Sequence, residues 1–97
     1  MNELLKIKET LEYNFINLDT SKLDKFSFDV LIQEILDLIM DTSININLNS
    51  KDISCSFTVD YIHIKSLNEI NYLGGRIEIY IEIEEGFISS IEPSLTF

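Results

Sequence analysis

The sequence is poor in several residue types, and each shortage excludes a kind of site. Its single cysteine rules out an internal disulfide and is typical of a reducing compartment. A structural zinc site needs about four cysteine or histidine ligands, and Cys55 and His63 are the only residues of these types. The glycine pair Gly74-Gly75 is not followed by a helical pattern, so it lacks the rest of a phosphate-binding motif. We therefore expect no metal and no cofactor.

Basic residues are also scarce, because 7 lysines and arginines stand against 17 acids and give a formal net charge of −10. This charge disfavours direct binding to nucleic acid or to an anionic membrane surface. The longest apolar stretch, residues 30–40, is too short to span a bilayer and contains three polar residues. Residues 1–8 lack the apolar region of an export signal. We expect a cytoplasmic protein whose partners are basic proteins.

The length and the hydrophobic content indicate one folded domain, residues 1–97. A chain of 97 residues has room for one core. Its hydrophobic fraction of 45% is that of a globular protein and exceeds that of a disordered acidic chain.

Two helices are predicted in the N-terminal half. Apolar residues at steps of three or four predict a first helix over residues 3–14, with Asn2 as its cap and Leu5 widening the apolar stripe. The second helix begins at Ser21 or Ser27 and ends at residues 41–43. Its apolar residues have the spacing of a helix that faces a core: Phe28, Leu31, Ile32, Ile35, Leu38 and Ile39.

The residues after position 43 have strand patterns. Alternation predicts strands over residues 44–49 and 53–65, and a change of phase near Asp60 predicts a β-bulge or a strand end covered on both sides. After a loop over residues 66–75, a strand over 76–84 turns at Glu85-Gly86. The last strand ends at Pro93 or lies at an edge. Helices followed by strands predict an α+β fold, with both helices packed on one face of a four-stranded antiparallel sheet.

The strand over residues 76–84 carries the most information about partners. One of its faces holds four isoleucines, and the other is acidic. We call the acids of this second face, together with the acid that follows the strand, the acidic rail: Glu78, Glu82, Glu84 and Glu85. Tyr80 lies within it, as an interface anchor would, although cross-strand packing explains a tyrosine there equally well.

A second acidic surface is predicted on the second helix. Asp29, Gln33, Asp37 and Asp41 recur every four residues. Asp37 and Asp41 face the negative end of the helix dipole, where a carboxylate lowers stability. Either this is a solvated face of an acidic protein, or the acids are retained because a basic partner binds them.

Catalysis is not expected. His63 and Cys55 lie eight residues apart on one predicted strand, a separation of roughly 27 Å at the strand rise, which is too far for a nucleophile and its base. Glu78 and Glu82 lie on an open strand face, whereas a glycosidase needs its two carboxylates in a pocket with different environments.

No family resemblance is specific enough to name a family, so the functional hypothesis rests on charge. We expect a small acidic inhibitor, in particular an immunity or antitoxin protein that neutralises a basic, nuclease-type toxin by occluding its active or nucleic-acid-binding surface. The alternatives are a non-catalytic adaptor or accessory subunit of a cytosolic assembly, a homodimer through a strand edge, and a phage inhibitor that mimics nucleic acid. The expected partner-binding residues are Glu78, Tyr80, Glu82, Glu84, Glu85, Asp37 and Asp41.

Overall fold

The structure, a computed structural model, describes residues 3–43, 45–70 and 73–97. Its elements are helices α1 (Glu3–Phe15) and α2 (Lys25–Thr42), a 3-10 turn (Ser50–Asp52), and strands β1 (Ile53–Phe57), β2 (Tyr61–Ser66), β3 (Arg76–Glu84) and β4 (Phe87–Thr96). The strands form an antiparallel sheet in the order β1-β2-β3-β4. The predicted α+β fold with two helices and four antiparallel strands is therefore confirmed. No helix of the described ranges is both long and apolar enough to cross a membrane.

Helix α1 lies against β4 and α2. Its buried residues are Ile7, Leu11 and Phe15, which belong to the predicted stripe. Leu5 does not widen that stripe, because 44% of it is exposed. The predicted cap, Asn2, lies outside the described residues.

The N-cap of helix α2 is Asp24, because the helix begins at the next residue. The sequence had suggested Ser21 or Ser27, and both suggestions are wrong. The Asp24 carboxylate accepts a hydrogen bond from the Ser27 backbone N–H at 2.7 Å. A carboxylate is a strong N-cap because it satisfies a free amide and faces the positive end of the dipole. Near this end, the Phe28 ring stacks on Phe57 of β1 with centroids 4.6 Å apart. Helix α2 therefore lies near β1, and α1 lies near β4.

The core contains the predicted apolar faces. The β3 isoleucines are buried in one hydrophobic cluster with the buried residues of both helices. Leu38 of α2 is only partly buried, and Leu36, which the apolar stripe did not include, is fully buried. The buried β3 residues are Ile77, Ile79, Ile81 and Ile83.

Two strand predictions are wrong. Residues 45–49 form neither helix nor strand, although Ile46 and Leu48 are buried; Ile44 lies outside the described residues. Residues 53–65 are two strands, because the chain turns at residues 58–60 and β1 pairs with β2 as a hairpin. The Thr58 hydroxyl closes this turn by accepting hydrogen bonds from the backbone N–H groups of Asp60 and Tyr61. The change of phase near Asp60 is thus a turn, and no bulge lies there.

The β3–β4 hairpin turns at Glu85-Gly86, as predicted. Both residues have positive φ, 53° and 87°, as a two-residue type I′ turn requires. Strand β4 does not end at Pro93 but continues to Thr96, and it lies at an edge of the sheet. A bulge interrupts its register at Ser89, where Glu82 pairs with Ser90 and Ile83 pairs with Ile88.

Candidate functional site

The outer face of the sheet is the face opposite the core, and the acidic rail lies on it. Strand β3 alternates between buried isoleucines and more exposed outer residues over its whole length. The register with β2 places Tyr61 beside Glu82 and His63 beside Tyr80. The outer face is therefore a rigid surface on which neighbouring strands contribute aromatic and acidic side chains.

Two tyrosines form the centre of this face. The rings of Tyr61 and Tyr80 stack with centroids 5.5 Å apart and planes 19° apart. Tyr80 is still 45% exposed, so it has a cross-strand partner and an accessible surface at once. The sequence grouped Tyr61 with the β1 residues, because the turn at residues 58–60 was not recognised. With that turn, Tyr61 faces outward.

Glu78 is the member of the rail with the most neighbouring polar groups. Its carboxylate Oε1 lies 3.1 Å from Nε2 of His63, and only 19% of its side chain is exposed. Lys65 is its register partner on β2. Glu78 is therefore the rail residue with the least free charge to offer a partner.

The remaining rail residues lie at the other end of β3 and are exposed. Asp60 joins them, because its backbone carbonyl accepts a hydrogen bond from the Ile83 N–H at 2.8 Å and so places the β1–β2 turn beside the β3–β4 turn. We call this end the acidic tip, formed by Asp60, Glu82, Glu84 and Glu85. Within the parts of the chain that the structure describes, no lysine, arginine or histidine makes an ion pair with these carboxylates.

An exposed phenylalanine and two shallow depressions complete the acidic tip. Phe87 pairs with Glu84 in the hairpin and is 46% exposed. One depression of about 640 Å³ includes Asp60, Glu84 and Phe87 in its lining. The other, of about 550 Å³, is lined by Phe57, Val59 and neighbouring residues, and both depressions reach Glu85. The surface is open, which suits a macromolecule better than a small substrate.

A further acid lies beside Tyr80 and forms an ion pair. Glu92 pairs with Tyr80 in the register of β4. Its carboxylate lies 2.6 Å from Nζ of Lys8, which also lies 3.2 Å from Glu12. The hydrogen bond to Glu92 is the main reason that the pKa of Lys8 is raised. The free negative charge of the outer face is thus concentrated at the acidic tip.

The acids of α2 form a separate surface. Asp37 and Asp41 are exposed, as predicted. Asp37 accepts a hydrogen bond from the Gln33 side chain at 2.9 Å, and Asp29 lies 3.4 Å from Lys25. Because α2 packs on the isoleucine face, its exposed side is not continuous with the acidic rail.

Cys55 and His63 are much closer than the sequence suggested, but they do not form a pair. Their expected separation was wrong, because Cys55 pairs with Ile64 and His63 pairs with Ser56 across the hairpin. Adjacent residues of a strand face opposite sides, so His63 points outward and Cys55 points toward the α2 side. Cys55 is exposed, although residues of α2 that line a depression with it shield part of its surface. Partial burial, and then the Asp29 carboxylate, raise the pKa of its thiol, which makes it a weaker nucleophile at neutral pH.

The described ranges contain no group of three or more histidine, cysteine or acidic side chains placed to hold a metal ion. Comparison of the chain with protein-family models, curated proteins and solved structures finds no match.

Proposed function

We propose that this protein is a small acidic inhibitor that binds a basic protein through the outer face of its sheet. Within that class we favour an immunity or antitoxin protein that neutralises a nuclease-type toxin and works in the cytoplasm without catalysis of its own. The observation that carries the proposal is the combination of an exposed tyrosine, Tyr80, with carboxylates at the neighbouring acidic tip that make no ion pair within the described residues.

Charge would supply the speed and the selectivity of such an encounter. A cluster of like charges raises the local concentration of an oppositely charged partner and can accelerate association by about 10- to 1,000-fold at low ionic strength. The nucleic-acid-binding surface of a nuclease is basic because it neutralises phosphates. Carboxylates at the acidic tip would compete for that surface.

Rigidity and aromatic area would supply the affinity. Glu82 and Glu84 lie on a strand that is paired on both sides, so little order has to be gained when they bind. Tyr80 is held by its stack on Tyr61 and is still partly exposed. Tyrosines near the centre of an interface are frequent hot spots, and a polar rim excludes water around them.

Exposed apolar residues beside the acidic tip favour a second candidate, an accessory subunit of a larger assembly. Val59 is 83% exposed and Phe57 is 41% exposed, and both line the same depression. A subunit interface centred on them would be mainly apolar. Its affinity would therefore depend little on salt, unlike that of the proposed inhibitor.

The experiment uses the product of the adjacent gene, co-expressed and purified with this protein, and follows association by stopped-flow fluorescence over a range of ionic strength. The tip variant reverses two exposed acids, Glu82→Lys and Glu84→Lys. The matched control reverses two exposed acids of α2, Asp37→Lys and Asp41→Lys. Both carry the same change of net charge, so only the location differs. We expect the tip variant to associate at least about tenfold more slowly, with a flatter salt dependence, and the α2 variant to change much less.

The outcomes separate the hypotheses. If the α2 reversal abolishes binding and the tip reversal does not, the interface is on α2 and the proposed site is wrong. If neither reversal matters and salt has no effect, the accessory-subunit function replaces the inhibitor. Circular dichroism of each variant checks that the fold is intact.

A further inference from the structure

The two edges of the sheet differ in how they are protected. At the β4 edge, Ile88 exchanges backbone hydrogen bonds with the segment after α1: the Asn17 N–H donates to its carbonyl at 2.8 Å, and its own N–H donates to the Leu18 carbonyl at 3.0 Å. The Lys8 ammonium donates to the Ile91 carbonyl at 2.9 Å, and Pro93 has no N–H to offer. Covering segments, lysine and proline are the devices by which proteins prevent an edge strand from pairing with another chain.

Among the residues that the structure describes, none protects the β1 edge in these ways. Thr58 donates its N–H to the Tyr61 carbonyl at one end of the β1–β2 hairpin, and Leu67 donates to the Asp52 carbonyl at the other. Hydrogen-bonded pairs alternate along an antiparallel ladder, so Ser54 and Ser56 are the β1 residues that bond to β2.

The backbone groups of the other three β1 residues, Ile53, Cys55 and Phe57, therefore point away from the sheet. Throughout residues 3–43, 45–70 and 73–97, no backbone or side-chain group donates to or accepts from these three residues on that side. Four of the five β1 residues are exposed, and Ile53 is partly buried. The edge is thus accessible as well as unpaired.

We propose that two copies of this chain form a dimer by antiparallel pairing of β1 with β1. A two-fold axis at Cys55 sets the register: Cys55 lies opposite Cys55 of the second copy, and Ile53 lies opposite the second copy's Phe57. Each of these positions has outward-pointing backbone groups in both copies, so every pair exchanges two hydrogen bonds. The interface is isologous, and it joins two sheets of four strands into one.

The composition of β1 suits a second copy of the chain. Charged residues make up 25% of the sequence, yet β1 (Ile53–Phe57) contains none. Two chains of net charge −10 repel each other, and an uncharged strand is where they can approach most closely. Antiparallel pairing also places Ile53 against an aromatic ring, which is a favourable cross-strand pair.

The charges around β1 are compatible with this register. Lys51 and Asp52, which carry opposite charges, precede β1, and Asp60 beyond its other end lies beside β3. Antiparallel pairing therefore brings no run of like charge to either end of the interface. Asp29, which belongs to α2, lies beside Cys55. Its Oδ2 atom is 3.4 Å from Nζ of Lys25, so it already has an ion-pair partner. The acidic tip of each copy stays on the outer face.

Sedimentation of the purified protein over a range of concentration and salt tests the dimer. We expect a concentration-dependent dimer that becomes tighter as salt rises, because salt screens the repulsion between acidic copies. The proposed inhibitor complex has the opposite salt dependence, so the two proposals fail independently. A sedimenting monomer at every concentration and salt would overturn the dimer and leave the inhibitor proposal untouched.

Cys55 reports the register directly. Opposed Cα atoms of a hydrogen-bonded pair lie about 5.5 Å apart, so a short bifunctional maleimide should join the two thiols in good yield. The reaction is run at pH about 8, because the raised pKa of the thiol slows it at neutral pH. A dimer in solution that does not cross-link would show that another surface forms it.

A pair of lysine variants locates the interface. Cys55→Lys places two like charges opposite each other on the interface, and we expect the dimer Kd to rise at least about fivefold, the effect of roughly 1 kcal/mol of repulsion. Ser54→Lys adds the same charge to the other face of β1, and its dimer should still cross-link through Cys55. Thermal unfolding of both variants checks the monomer fold. A dimer Kd that is unchanged in Cys55→Lys would overturn the proposal.

Discussion

The inner and outer faces of β3 belong to the same nine residues but obey different constraints. On the inner face, every isoleucine is at most 4% exposed, and burial of apolar surface accounts for the choice of residue. On the outer face, burial does not determine the residue type. The side chains there nevertheless include neighbouring acids at the acidic tip. Repulsion between like charges does not stabilise the fold, so the acids of the outer face need an explanation other than folding.

The largest expected effect is on the inner face. Ile81 is fully buried at the centre of the sheet, so Ile81→Ala leaves a cavity and should lower the free energy of unfolding by about 2–5 kcal/mol. Urea denaturation followed by circular dichroism measures it. The matched control is Glu82→Ala, the next residue on the opposite face, which should change the same quantity by less than about 0.5 kcal/mol. Equal costs for the two variants would contradict the assignment of faces.

The next effect concerns the stacked tyrosine pair of the outer face. Tyr61 and Tyr80 stack across β2 and β3, and stacked aromatic pairs contribute about 0.5–1.5 kcal/mol beyond their buried area. We expect a double-mutant cycle of Tyr61→Leu and Tyr80→Leu to give a coupling energy of that size. A coupling near zero would mean that the tyrosines are placed for a partner alone.

Much of this comparison was predictable from the sequence, because alternation and helical spacing report which side chains are buried. The inner face of β3 and most of the stripe of α2 were identified correctly for that reason, although the stripe did not include Leu36. Alternation and helical spacing do not indicate which segments form backbone hydrogen bonds with each other. Residues 44–49 alternate like a strand and Ile46 and Leu48 are indeed buried, but the segment pairs with no strand where the structure describes it.

The missed turn at residues 58–60 had the largest consequence for the candidate site. Turns are recognised mainly by clusters of glycine, proline, asparagine and aspartate, and more weakly by serine and threonine. This turn holds one aspartate, Asp60, and the weaker signal of Thr58, whose hydroxyl closes it. Val59 is also strongly apolar, although 83% of it is exposed, so it continued the apparent alternation. Recognising the turn would have placed Tyr61 beside Tyr80 and Asp60 at the acidic tip.

A smaller effect is expected for the polar pair of the outer face. His63 and Glu78 are 3.1 Å apart, with 35% and 19% of their side chains exposed. Ion pairs that are exposed to water contribute about 0.2–1 kcal/mol, so a double-mutant cycle of His63→Ala and Glu78→Gln should give a coupling energy within that range.

We also expect His63→Ala and Cys55→Ala to retain biological activity, since the two side chains face opposite sides of the sheet. Loss of activity in a folded His63→Ala protein would contradict the non-enzyme hypothesis.

The smallest effect concerns the cap of α2, the helix that helps to cover the inner face. The hydrogen bond from the Ser27 backbone, followed by the Ser27 side chain, lowers the pKa of Asp24 below its ordinary value of 3.8. A carboxyl group whose pKa is depressed by folding contributes stability above its unfolded pKa, and this contribution is lost as the pH falls through the folded pKa. Asp24→Asn keeps a capping oxygen but cannot titrate, so it is the matched control. In thermal unfolding between neutral pH and about pH 2, the wild type should therefore lose more stability than Asp24→Asn, with the difference arising below pH 3.8. The titration of Asp19, whose pKa is also lowered, is common to both proteins and cancels in the difference. Parallel pH profiles would show that the charge on Asp24 adds nothing to the cap.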